Sequence, residues 1–329
     1  MKSIRILVLC VSIITVGSPL HGQTAKVNPE IIDDLLRRPL IVEQLEIDQE
    51  VVASFDKKIT NAKKQTLVDK YSRQKDEYVK FAEEFNQFIE LAASKILTSH
   101  EAIVTKTAQE VQQLRKQKST EYTVLYYEPY TVTGSDLHIK SLKYTRIERI
   151  GKKVDYSFFM PSISHREESE RIKYGDCEIT LKLMIEHLAS VKALNKKNYS
   201  FSSYAKDQSE LNCEQKLKYS LGLDKGMVQK NQTEEAMSAA IGIPVHQVST
   251  TDLMKMIEDD RDELIALSIP LDIVIGGSSS NSALKISSSN INFTKCIVNA
   301  KTGKIIASSG RKASAYFSAK GLKKLGNCP

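Results

Sequence analysis

The sequence predicts an α+β protein: a long α-helical hairpin followed by a mixed or antiparallel sheet domain with packed helices. Three observations carry that expectation. Neither Gly nor Pro occurs from residue 40 to 127, and apolar residues there recur largely at three- and four-residue steps. From residue 121 the apolar period shortens to alternation, the mark of half-buried strands. Every cysteine after Cys10 falls in the second half, where a stapled globule is expected.

The chain has 329 residues, of which 41% are hydrophobic and 26% charged, the balance of an ordinary globular protein of about two domains. Its 14 Gly and 8 Pro exclude a collagen-like or low-complexity chain. Lys2 and Arg5 precede an apolar run at residues 6–16, and Gly17, Ser18, Pro19 and Gly22 follow it. That is the pattern of an export signal occupying residues 1–23, and the run is too short to span a bilayer. The expected product is periplasmic or secreted, with no transmembrane segment after signal removal. Three further units are expected: helical residues 24–120, an antiparallel β segment at 121–190, and an α/β segment at 191–329 with a C-terminal hairpin. The last two are expected to form one domain.

The helical unit opens at Asn28-Pro29-Glu30, a capping side chain, a proline with preset φ and an acid facing the helix dipole. Pro39 interrupts the first helix. Asp48 caps the next, with Glu50 in its first turn, and the apolar pattern then runs to residue 97. An unbroken helix of that extent would be about 70 Å long and needs a partner. Thr98 and Glu101 have capping-box spacing, and Ile103, Val104, Ala108, Val111 and Leu114 supply a second stripe. The expected hairpin therefore turns at residues 98–100, with His100 at the surface. Tyr78, Phe81, Phe85 and Phe88 form an aromatic stripe that serves either as hairpin core or as a client or partner surface. Oligomers could form through the same arm.

In the β segment, alternation at Leu137 and Ile139, Leu142 and Tyr144, 154–160 and 179–185 predicts roughly four antiparallel strands. Residues 192–220 carry no clear period. Beyond them, residues 234–241 read as a helix ending at Gly242, and 243–248 as a short strand. A helix capped by Thr250 or Thr251 and reaching about Ser268 follows, then a strand at 271–275. Helix, strand, helix, strand predicts parallel pairing with a helix across one face. Residues 293–309 read as two strands joined by a turn at 300–303.

Cys177, Cys213, Cys296 and Cys328 lack the close pairs of a zinc site. In an oxidising compartment they allow three pairings, of which Cys177–Cys213 with Cys296–Cys328 is the favoured one. Each such loop would contribute about 3–4 kcal/mol. After Asp272 there is no acidic residue, while Lys285, Lys295, Lys301, Lys304, Arg311, Lys312, Lys320, Lys323 and Lys324 follow. A one-signed segment of this kind either binds an anionic polymer or forms a solvated face balanced by the acidic middle of the chain. Aromatic residues scarcely interleave with it, which disfavours nucleic acid.

Two stretches resemble known families. LLRRPLIVEQLEIDQEVVASFDKKI, residues 35–59, resembles the segment of exported Spy/CpxP-like proteins in which a short helix leads into an LTxxQ-type helix start, with Ile47-Asp48-Gln49 replacing the usual motif. KILTSHEAI, residues 95–103, is similar to a second copy. The resemblance implies an exported helical module of the holding-chaperone kind. Residues 234–309 resemble the envelope α/β domain of CsgG-like and TolB-amino-terminal-like proteins, through Ile241 to Val245, the DIVIGG strand and the Asn299 to Ile305 turn. That likeness implies a fold used by secretion pores, lipoprotein cofactors and assembly factors alike.

No His-Glu-x-x-His, Walker loop or Gly-x-Gly-x-x-Gly occurs. Gly276-Gly277-Ser278 lacks the closing glycine of a nucleophile elbow. Ser54-Phe55-Asp56-Lys57, Ser279-Ser280-Asn281 and Lys301-Thr302-Gly303 imitate a penicillin-recognising set, but Ser54 lies on a long amphipathic helix and the third motif on a hairpin tip. His138, His165, His187 and His246 lie in separate segments. The reading is a non-enzymatic exported envelope protein, without cofactor or metal, that binds or assembles an envelope protein or anionic envelope polymer. A periplasmic holdase using the hairpin is the first alternative, and a hydrolase the second.

Overall fold

The computed structural model describes residues 27–131, 138–150, 154–163, 172–277, 286–312 and 314–326, with the main chain alone at 129–131, 138–139, 213, 272–277 and 286–290. The expected signal segment and Ser278 to Asn281 lie outside the described residues.

Helix α1 (Pro29–Arg37) starts as expected: the Asn28 side chain accepts from the Glu30 N–H at 3.3 Å. Strand β1 (Leu40–Gln44) follows Pro39. Helix α2 (Gln49–Thr60) is capped by Asp48, which accepts from the Glu50 N–H at 2.8 Å. The chain then breaks at residues 61–64, before α3 (Gln65–Ile96). The Thr60 hydroxyl donates back to the Asp56 carbonyl at 2.9 Å, a bond that disfavours continuation, and Lys57 and Lys58 suit a helix C-terminus. Thus the helical hairpin is α2 against the first half of α3, turning at 61–64 rather than at 98–100.

The partner helix expected at 103–114 is instead strand β2 (Ile103–Thr107) followed by α4 (Ala108–Lys116). Ile103, Val104, Thr105 and Thr107 are β-branched and favour a strand. The capping box belongs to Thr107 and Glu110, which bond reciprocally. Strands β3 (Thr123–Thr131), β4 (His138–Arg146) and β5 (Tyr156–Phe159) complete the first sheet, in order β2-β1-β3-β4-β5. Parallel pairing sets Leu40 beside both Ile103 and Thr123, so this sheet crosses the boundary expected at residue 120.

Residues 179–185, expected as a strand, lie inside helix α5 (Tyr174–Leu194). The helix is buried on nearly every side, from Gly175 through Met184 without a gap, so it has no polar face to reveal its period. Helix α6 (Phe201–Asn212) and a 3-10 turn at Cys213–Lys218 lead to β6 (Leu221–Asp224). Next come α7 (Glu234–Ile241), β7 (Val245–Val248), α8 (Thr250–Glu258), β8 (Leu264–Gly277), β9 (Ile286–Asn299), β10 (Ile305–Ser308) and α9 (Ala319–Gly326). Ser249 caps α8, which ends ten residues short of the expected boundary because β8 already begins at Leu264. The second sheet runs β10-β9-β8-β6-β7, with β6 parallel to β7 and β8 and the last hairpin antiparallel.

Alternation along each strand sorts the core into layers. Leu40, Val42, Leu125, Leu142 and Tyr144 of the first sheet share one cluster with Ile265, Leu267, Val298 and Ile305 of the second, and α5 runs through it. On the far face of the first sheet, Ile41 and Val124 pack with Val111 of α4. On the far face of the second, Leu264, Ala266, Ile297 and Ile306 pack with α7 and α9.

Gly303, in the turn between β9 and β10, has φ +74° and lies directly on α5. A Cβ there would stand 2.6 Å from Cβ of Lys182. Gly303→Ala is therefore expected to destabilise the protein by about 2 kcal/mol, read as a lowered urea midpoint with unchanged slope.

Candidate functional site

The element with least burial is the arm made by α2 and the outer half of α3. Helix α2 has no buried residue, and the buried residues of α3 are all at its inner end: Ala82, Phe85, Ile89, Ala92 and Ala93. At about 1.5 Å per residue, α3 is roughly 48 Å long. The arm is held by a thin antiparallel seam. Phe55 and Tyr78 rings lie 6.4 Å apart, Asp56 meets Lys75 at 2.6 Å, and Lys58 sits 5.3 Å from the Phe55 ring and 5.9 Å from the Tyr71 ring. The Tyr78 hydroxyl accepts from the Asp48 N–H at 3.0 Å.

Residues 57–68, which form the tip, contain four lysines and no acid. Lys57, Lys58, Lys63 and Lys64 line an open cleft of about 830 Å³ with Leu67 and Tyr71. Helix α3 begins without a side-chain cap and without an acid in its first turn. Lys63 and Lys64 thus stand at the positive end of a helix dipole, where basic residues weaken the helix.

The inner end of α3 is fixed by a buried ionic cluster. Glu178 on α5 is fully buried; its Oε1 accepts from Lys182 at 2.6 Å and from Lys95 at 2.8 Å. Both ammoniums also reach Asp260, at 2.7 and 2.9 Å, and Lys182 donates to the Ala300 carbonyl at 3.0 Å. Burial alone would lower the pKa of Lys95, but the Asp260 and Glu178 carboxylates outweigh it and raise the value. Burial likewise raises the pKa of Asp260, and the hydrogen bonds from Lys182 and Lys95 reverse this, leaving it below the ordinary carboxylate range. Burial and then the Glu178 charge push the nearby Tyr174 phenol up to about 12. Lys95 and Asp260 therefore stay charged through neutral pH, and the cluster ties α3, α5, the α8–β8 turn and the β9–β10 turn together. At the arm's other root contact, Asn86 exchanges two hydrogen bonds with the Leu45 main chain, at 2.7 and 3.0 Å.

Of the sequence-predicted residues, the aromatic stripe is core. Phe85 is buried, Phe81 lies 6.1 Å from the rings of Phe85 and Tyr127, and Phe88 packs against the same cluster. Only Tyr78 belongs to the arm. A client surface made of all four residues is thereby corrected: Phe81, Phe85 and Phe88 are used to cover the first sheet.

The favoured disulfides are corrected as well. Cys177 and Cys296 are free buried thiols, so neither Cys177–Cys213 nor Cys296–Cys328 is formed. Cys177 enters the core at the start of α5 rather than from a strand, and Cys296 lies on the inner face of β9. Burial pushes the Cys296 thiol up to about 12 and raises that of Cys177 well above its ordinary value, so both stay protonated. The Cys213 side chain and Cys328 lie outside the described residues.

The basic C-terminal segment is divided. Lys301 and Lys304 flank the turn against α5, Arg311 and Lys312 follow β10, and Lys320, Lys323 and Lys324 are on α9. Lys295 is buried, donates to the Tyr316 carbonyl and lies 5.2 Å from the Phe317 ring. These bases sit on separate elements.

Two histidines are buried where sequence reading left them at the surface or unassigned. His100 donates from Nδ1 to the Arg38 carbonyl at 2.6 Å and accepts from the Tyr144 hydroxyl. His187 is enclosed by Tyr156, Tyr199, Phe201 and Tyr204. Its Nε2 donates to the Tyr199 carbonyl at 3.1 Å and its Nδ1 accepts from the Tyr156 hydroxyl at 2.9 Å, so the ring is neutral. Neither was signalled by spacing. The tip lysines were visible in the sequence as Lys57-Lys58 and Lys63-Lys64, but only the turn at 61–64 brings them together.

Among the described residues, no helix is long and apolar enough to cross a membrane. Compared with family models, curated proteins and solved structures, the chain matches none of them.

Proposed function

We propose that the protein is an exported, non-enzymatic binding protein of the cell envelope that engages another envelope component through the α2–α3 arm. One observation carries this reading: a helical arm that buries no residue of α2 is clamped at its base by the charged cluster around Glu178. A projection contributing so little to the core is expected to be retained for what it touches. The amino-terminal pattern of charge, apolar run and small residues supports export, and the likeness of residues 234–309 to envelope α/β domains supports the compartment.

A photoreactive residue placed at Asn61 in cells making the protein tests the reading. Adducts at Asn61 that are absent when the probe is at Lys323 on α9 are the expected result. Equal adducts at both positions, or adducts at Lys323 alone, overturn it.

A further inference from the structure

We infer that the arm's tip docks on an anionic phospholipid surface; this deepens the binding reading above by naming what the arm meets. Charge is the first argument. Lys57, Lys58, Lys63 and Lys64 are exposed and crowd the end of the hairpin, with no acid between residues 57 and 68. Of the flanking carboxylates, Asp56 is paired with Lys75 at 2.6 Å, and Asp69 lies just beyond the tip, accepting from the Gln65 side-chain amide at 2.8 Å. Farther down α3, Asp69, Lys70, Arg73, Lys75, Asp76, Glu77 and Lys80 mix both signs, so the one-signed stretch is confined to the tip.

Shape and polarity decide among anionic partners. The lysines ring one open cleft at the very end of a projection, and residues of both charge signs follow below it, which suits a plane of head groups better than a long linear polymer. Leu67 stands among them with 38% of its surface exposed, and Ala62 and Ile59 lie beside it half-buried. An apolar side chain ringed by lysines is the composition of an interfacial contact, with the charges at the phosphates and the leucine below them. The tip has no arginine, whose fork would favour a bidentate site for a discrete phosphate.

The test is co-sedimentation of the full chain with vesicles of equimolar phosphatidylglycerol and phosphatidylcholine, against pure phosphatidylcholine, at 50 and 300 mM salt. Lys57→Gln/Lys58→Gln/Lys63→Gln/Lys64→Gln is compared in the same background, so any contribution of residues 6–16 is common to both proteins. Circular dichroism checks that both are folded. Wild type is expected to bind the anionic vesicles in a salt-sensitive way, and the quadruple variant to bind at least about 100-fold more weakly, from roughly fivefold per lysine. Leu67→Ser is expected to weaken binding several-fold, whereas Lys320→Gln/Lys323→Gln/Lys324→Gln leaves it unchanged. Equal vesicle binding by wild type and the quadruple variant overturns the inference. So does lysine-dependent binding to soluble polyphosphate with none to vesicles, which would assign the tip to a polymer. If vesicles fail while the Asn61 probe still captures a protein, the binding reading stands and only the lipid assignment falls.

Discussion

Replacing Lys182 by Met is expected to destabilise the protein by about 3–5 kcal/mol, because the fully buried Glu178 carboxylate loses a partner at 2.6 Å. Lys95 would remain as its counter-ion, at 2.8 Å and on a partly exposed side chain. The double variant Glu178→Gln/Lys182→Met should recover part of the loss, since it removes the buried carboxylate together with the partner it had lost. A coupling of about 1–3 kcal/mol from urea unfolding of the two singles and the double is the expected measure. An additive cycle would show that the pair does not act as a unit. Because the charges are buried, raising salt from 50 to 500 mM should change the coupling little. Among the described residues the Oε2 atom of Glu178 has no hydrogen-bond partner, so losing Lys182 leaves this buried carboxylate with Lys95 as its remaining contact at 2.8 Å.

Acidification from pH 7 to pH 4 is expected to cost about 3 kcal/mol through His187 alone. Burial lowers its pKa from 6.5 to about 4, and the hydrogen bond to the Tyr199 carbonyl only partly opposes this. Between those two values the unfolded chain binds a proton that the native ring does not. Stability therefore rises with pH across that window, by about 1.4 kcal/mol per unit, and levels off above pH 6.5. His187→Gln should be less stable at pH 7 and show a flatter dependence between pH 4 and 6.5. An imidazole NMR titration of the wild type should show no protonation of His187 above about pH 5. A midpoint near 6.5 would remove the basis of the effect.

What could be read from the sequence was local and capped. Asn28, Asp48 and Gly242 each mark a helix end that the structure contains, and the β9–β10 turn is where its glycine indicates. What could not be read was whatever depends on being buried from all sides. Helix α5 alternates at Ile179, Leu181 and Leu183 only because Glu178 and Lys182, spaced as a helical i, i+4 pair, are buried as an ion pair. That spacing, with Asp176 accepting from the Lys173 N–H at 2.7 Å, was the available signal for a helix. Strands β1 and β2 are five residues each and parallel, and their partners lie far away in sequence, so no hairpin signal exists. The arm was legible as helix, but its fold-back point was not, because a lysine-rich turn contains neither Gly nor Pro.

The parallel pairing of β1 with β2 makes the arm a crossover connection whose outer part stands clear of the sheet. Reach and architecture are consequently independent variables in this design. Inserting two helical turns into both α2 and the outer half of α3 would carry the tip about 10 Å farther out while every strand kept its neighbour. In an engineered series, the reach of the tip is therefore set by trimming or extending one protrusion.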